Sequence, residues 1–133
     1  LGDVYKRQLL ANTNMFIKIL EDPRVNIIGH CIKSNISFEI KEVVNAARIF
    51  GKPLEINEST FSNKEKIKYI YELLECCAEE DTMIAIGSDA HCAYDIGRFH
   101  KVNSILSEVE FPETLIVNKK LIEFLKYMGG RYE

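Results

Sequence analysis

MIAIGSDAHCAYDIG, residues 83–97, decides how the fold is read, because an apolar run opens directly onto side chains that bind metals or move protons. Met83, Ile84, Ala85 and Ile86 show no alternation, the pattern of a strand buried on both faces, and Gly87 breaks it. Asp89 and His91 follow at once, a carboxylate and an imidazole two residues apart. They stand at the C-terminal mouth of a parallel strand, where α/β proteins keep their ligands. A turn or N-cap role for the aspartate and a backbone hydrogen bond for the histidine are the structural alternatives. For these residues alone, function and turn chemistry balance evenly.

Outward from this stretch the chain repeats a strand-then-helix unit. MFIKIL, residues 15–20, belongs to a helix from Asn12 that Asp22-Pro23 stops, and Val25 to Ile28 reads as the first strand. Ile40, Val43, Val44, Ala47 and Phe50 recur at helical spacing, with Gly51 and Pro53 supplying the stop. Leu54 to Ile56 is the next strand. Ser62-x-x-Glu65 is a capping box in front of a helix carrying Ile67, Ile70, Leu74 and Cys77. After the Met83 strand come a helix with Phe99, Val102, Leu106 and Val109, a short strand at Leu115 to Val117, and a last helix with Leu121, Ile122 and Leu125, ended by Gly129-Gly130. That order implies a parallel sheet with right-handed crossovers. The spacing of strand starts approaches the roughly 30 residues per unit of an eight-unit barrel of about 250 residues. Four units make half a barrel, so a partner half is expected to cover the open sheet. Residues 1–8, LGDVYKRQ, lack periodicity and read as a non-native, adapter-derived segment, leaving residues 11–133 as part of a single domain.

Composition narrows the functional classes. The 133 residues are 47% hydrophobic, enough for a core, and 17 basic against 20 acidic residues give a net charge of −3. No basic run argues for nucleic acid, no segment approaches a membrane span, and no signal peptide pattern is present, so the expected compartment is the cytoplasm. The four cysteines, at 31, 76, 77 and 92, match neither a zinc CxxC pattern nor a disulfide scaffold.

His30 lies just past the first strand and so stands at the same mouth as Asp89 and His91. Three ligand-type side chains from two strand ends are harder to assign to turn chemistry than any one of them. Two imidazoles and a carboxylate suit zinc, manganese or iron, and three protein ligands with an open position describe a hydrolytic metal centre. Glu55 and Asn57 end a strand and are candidates to support ligands or touch substrate, or simply to satisfy loop backbone. Arg98 is a candidate phosphate donor or the partner of a surface acid. His100 falls on the exposed face of its helix. Ser59 and Ser88 have no base in the pattern, which argues against a serine hydrolase.

GSDAH followed by AYDIGRF, the upstream LEINEST, the IIGH after a strand and the later FPETLIVN together resemble the C-terminal half of a PHP (polymerase and histidinol phosphatase) domain, of the small stand-alone YcdX type. The resemblance covers Asn12 to about Leu125. It implies a distorted seven-stranded TIM-like α/β barrel with a trinuclear metal cluster at its mouth, zinc foremost with manganese or iron as alternatives. Carried over, Asp89, His91 and His30 each ligate one metal, and Asp89 and His91 carry catalysis. The implied activity is metal-dependent hydrolysis of a phosphomonoester of a small metabolite by a metal-activated water. The family's leading His-x-His and other ligands have no counterpart here, so the expectation is a fragment, truncated at the N-terminus and inactive alone. Cys31 replaces the usual proline after the metal-binding histidine, which is expected to loosen that loop. Two other readings remain, a PHP module of a DNA polymerase and a degenerate, non-catalytic binding domain.

Overall fold

The computed structural model describes residues 1–129 as a mixed α/β chain. Helix α1 (Gly2–Glu21) is followed by α2 (Ile40–Phe50), strand β1 (Leu54–Asn57), α3 (Lys64–Glu79), strand β2 (Ile84–Gly87), α4 (His100–Glu108) and α5 (Leu121–Gly129). Short 3₁₀ turns lie at Glu58–Ser62, Ala93–Asp95 and Glu113–Leu115. Residues 2–8 continue α1 as an exposed extension. Gly129 is the last residue of α5, and the Gly130 half of the expected stop lies outside the described residues.

β1 and β2 pair in parallel, Leu54 opposite Ile84 through Asn57 opposite Gly87. Single parallel bridges flank them, Ile28 with Leu54 and Ile84 with Ile116. The four stretches expected to be strands therefore do lie side by side, but only the inner two are strands. The outer pair is a correction with a local cause in each case. Beside β1, Ile28 N donates to Pro53 O and Glu55 N donates to Ile28 O, while Pro53 has no N–H with which to extend the ladder backwards. Beside β2, Val117 N donates to Ile84 O, and then the Asn118 side chain takes over from the backbone. Its amide accepts from Ile86 N at 2.9 Å and donates to Ile86 O at 2.7 Å. An amide that satisfies a strand's donor and acceptor ends the sheet without exposing an unpaired edge at that residue.

Alternation along the strands separates core from mouth. Leu54, Ile56 and Ile84 join Leu20, Val43, Val44, Ala47, Leu73, Leu74, Val102 and Ile105 in one buried cluster with the helices. Helix α2 packs against both α1 and α3. Its αL cap at Gly51 (φ 62°) is the residue type that this left-handed position favours. Burying a Val or Leu side chain of this cluster stabilises the fold by about 1.5–3 kcal/mol each.

Glu55, Asn57, Ala85 and Gly87 lie outside that cluster, with Asn57 and Ala85 buried all the same. A Cβ built on Gly87 would lie 2.1 Å from Glu55 Oε1, and one on Gly29 would lie 3.5 Å from Glu55 Oε2. The Glu55 carboxylate therefore lies across its neighbouring stretches, in room that the glycine at 87 leaves open. The α3 cap is a further correction. Asn63, not Ser62, is the N-cap, its side chain accepting from Glu65 N at 3.0 Å, while Ser62 Oγ donates to Ser59 O. No helix among the described residues is long and apolar enough to cross a membrane.

Candidate functional site

At the C-terminal ends of β1 and β2 the loops bring His30, Lys33, Glu55, Asn57, Ser59 and Asp89 into one hydrogen-bonded cluster. Two of its members have left-handed backbone, His30 at φ 54° and Asp89 at φ 52°. Such conformations cost energy outside glycine, with Asp and His among the side chains that tolerate them best. They persist where surrounding contacts fix them, and here they do. Ser34 N donates to His30 O, and the His30 N–H donates to Glu55 Oε2 at 2.8 Å. The Cys31 loop is thus anchored rather than loosened, and Cys31 itself is 1% exposed. Burial pushes its thiol up to about 12.

Glu55 also orients the His30 ring. Its Oε2 stands 3.1 Å from His30 Nδ1, while its Oε1 accepts from Asn57 Nδ2 at 3.2 Å. Asn57 Nδ2 is 3.2 Å from the same Nδ1, but Asn57 Oδ1 accepts from Ser59 N at 2.9 Å, which fixes the amide's orientation. Nδ1 therefore has both a carboxylate oxygen and an amide N–H within reach, and the roles of the two ring nitrogens follow the tautomer. His30 Nε2 is 3.9 Å from Asp89 Oδ1. An imidazole nitrogen and a carboxylate oxygen, both metal-ligand types, face each other across a gap too long for a hydrogen bond, with a second carboxylate behind the imidazole. That is the usual support of a metal-ligating histidine. On this observation His30 and Asp89 fit a divalent ion, and Glu55 fits the role of its outer support.

Asp89 Oδ2 is occupied. Lys33 Nζ donates to it at 2.5 Å and to Ser59 Oγ at 2.9 Å. The Ser59 hydroxyl lies between Asp89 Oδ2 at 3.0 Å and Asn57 Oδ1 at 2.6 Å. The Lys33 ammonium and the Ser59 hydroxyl hold the Asp89 carboxyl below the usual carboxylate range.

The other candidates stand outside this knot. His91 Nδ1 lies 2.7 Å from Asp89 O and donates to it, which leaves Nε2 at the exposed edge of the ring. It is tied to Asp89 through the backbone but does not converge with His30. Among the described residues no three His, Cys, Asp or Glu side chains form a ready metal cage. Arg98 faces Asp95 at 3.9 Å on an exposed loop. His100 is exposed, as its helical position indicates. Sequence reasoning missed Lys33 and gave Ser59 no role beyond nucleophile. A loop lysine carries no signal of its own, but the serine two residues after Asn57 had one, since Asn-x-Ser turns tie the side chain to the backbone there.

No family profile matches the chain. Individual relatives do. The chain is 38% identical over 118 residues to a protein of Caldicellulosiruptor bescii named "Probable phosphatase", a match covering 88% of this chain and 49% of that protein. A "Probable phosphatase" of Clostridium botulinum is 37% identical over 90% of this chain and 50% of its own length, and one of Acetivibrio thermocellus is 30% identical over 96% and 53%. The chain spans about half the length of the curated relatives it matches. These matches support a relationship to phosphatases along nearly the whole of this chain.

Proposed function

We propose that this chain forms the C-terminal half of a PHP-type, TIM-like barrel and contributes part of the metal centre of a phosphatase that hydrolyses phosphomonoesters of small metabolites. The observation that carries the proposal is the His30 and Asp89 pair, imidazole Nε2 facing a carboxylate oxygen at 3.9 Å, with Glu55 behind the imidazole. The parallel alignment of the four stretches and the names of the relatives support it.

His30, Asp89 and His91 would hold divalent ions, zinc foremost with manganese or iron as alternatives, in a cluster completed by residues beyond this chain. Bound there, the metal supplies Lewis acidity toward a phosphoryl oxygen and lowers the pKa of water to about 7. The protein's own residues do the positioning. Glu55, beside Nδ1 and bonded to the His30 N–H, would hold the ring with Nε2 turned to Asp89. Ser59 and Asn57 fix the rotamer of Asp89 and the loop after β1. His91, anchored through Nδ1 on Asp89 O, would offer its exposed Nε2 as the ligand atom. Half of the relatives' length lies outside the match, so the chain by itself is expected to be inactive.

The test is His91→Ala, and separately Asp89→Asn, in a protein completed by joining this chain to the unmatched half of a relative. Phosphate release from p-nitrophenyl phosphate should fall at least about a hundredfold, as for loss of a positioned acid–base group, with the circular dichroism spectrum unchanged. Retained turnover would sink the assignment.

A further inference from the structure

We infer that Lys33 is a built-in cation that competes with a divalent metal for Asp89 and so sets the metal affinity of this mouth; the inference rests on the metal centre proposed above. The His30 loop reaches the Asp89 carboxylate from two sides. His30 Nε2 stands 3.9 Å from Oδ1, and the Lys33 ammonium, three residues along the same loop, sits 2.5 Å from Oδ2. The loop is pinned at its start by Glu55 on the His30 N–H and by Ser34 N on His30 O, so lysine and imidazole are delivered together.

The two cations cannot share the carboxylate freely. If a metal takes Asp89 while the ammonium leaves, a charge-assisted hydrogen bond is lost. If the ammonium stays on Oδ2, it faces the metal as a like charge a few ångströms away, with Asp89 only 20% exposed and solvent screening reduced. Both routes weaken metal binding. Lys33 is not locked in place by burial, since its side chain is 41% exposed, so release is open to it. The remaining group on Oδ2, the Ser59 hydroxyl, is neutral and is compatible with either cation.

The experiment is a titration of this chain, joined to the unmatched half of a relative, with Mn²⁺ at fixed pH and ionic strength, free metal being read from its electron paramagnetic resonance signal. Manganese favours oxygen and imidazole donors over the free thiols of this chain. Lys33→Gln should bind Mn²⁺ roughly tenfold more tightly than the unaltered chain, the size expected for removing one charged hydrogen bond. Lys33→Arg, which keeps the cation, should stay near the unaltered chain, and Asp89→Asn should remove the gain in the Gln background. Near-ultraviolet circular dichroism reads whether each variant keeps its packing. Equal or weaker binding by Lys33→Gln overturns the role of Lys33 while leaving the metal centre standing, and so does equal tightening in Lys33→Arg. Absence of Mn²⁺ uptake by both the unaltered chain and Lys33→Gln overturns the inference together with the metal centre.

Discussion

At Gly87 a missing methyl group decides where a carboxylate can lie. A Cβ there would come 2.1 Å from Glu55 Oε1, so Gly87→Ala must push Glu55 off His30. The expected cost is about 1–3 kcal/mol, the range for overpacking a tight site, read as a drop in the urea midpoint. In a Glu55→Ala background the same substitution should cost little, because the partner it strikes is gone. An equal cost in both backgrounds contradicts the steric account. The cysteines give a second expectation at this scale. Cys31 and Cys77 are buried, and burial raises both thiols, while Cys92 is exposed. A disulfide reagent should therefore label Cys92 within minutes and reach Cys31 and Cys77 only at the rate of unfolding. Rapid modification of Cys31 would place its loop elsewhere. That His30, Asp89 and Glu55 meet at one mouth was legible because each ends or directly follows an apolar stretch of the parallel order. Lys33 was not, since most loop lysines are solvated and nothing in sequence spacing shows a partner 56 positions away.

The helices were legible from periodicity, and the boundaries of α2 follow the apolar spacing and its stop signals. Caps and edges were not, because they depend on which of several neighbouring polar groups wins a backbone donor. Asn63 holds the α3 cap that the capping-box spacing assigns to Ser62. Asn63→Ala should cost about 1 kcal/mol of stability, and Ser62→Ala a few tenths at most; the reverse ranking would return the cap to Ser62. Glu58 does comparable work from a distance. Its carboxylate accepts from Lys101 N at 3.0 Å and Val102 N at 2.9 Å, capping α4, whose own N-cap residue Phe99 has no side-chain acceptor. No local pattern announces a cap supplied from 43 residues earlier. The outer strands fell short for the same reason. Val25 to Ile28 and Leu115 to Val117 have strand-like composition, but Pro53 lacks a donor and the Asn118 amide replaces backbone pairing.

Across the whole molecule, acid should act through three carboxyls each held below its ordinary value by a cation. Arg24 does this for Asp22, Lys33 for Asp89 and Lys119 for Glu113. A carboxyl whose folded pKa is lowered binds its proton less readily folded than unfolded. Its contribution is therefore complete above the unfolded value of about 4 and is lost as pH falls through the folded value. The urea midpoint should fall as pH drops from about 5 toward 2, and less steeply in Asp22→Asn. A midpoint that rises on acidification contradicts these pairs. The parallel order was legible because four apolar stretches alternate with helices. The central claim, that this mouth forms part of a metal-dependent phosphatase, is tested most directly by one measurement on the chain joined to the unmatched half of a relative. Phosphate release is followed before chelation, after chelation, and after zinc or manganese is returned. The account predicts turnover that disappears on chelation and comes back with the metal. Turnover indifferent to chelation, or none under any metal, would contradict it.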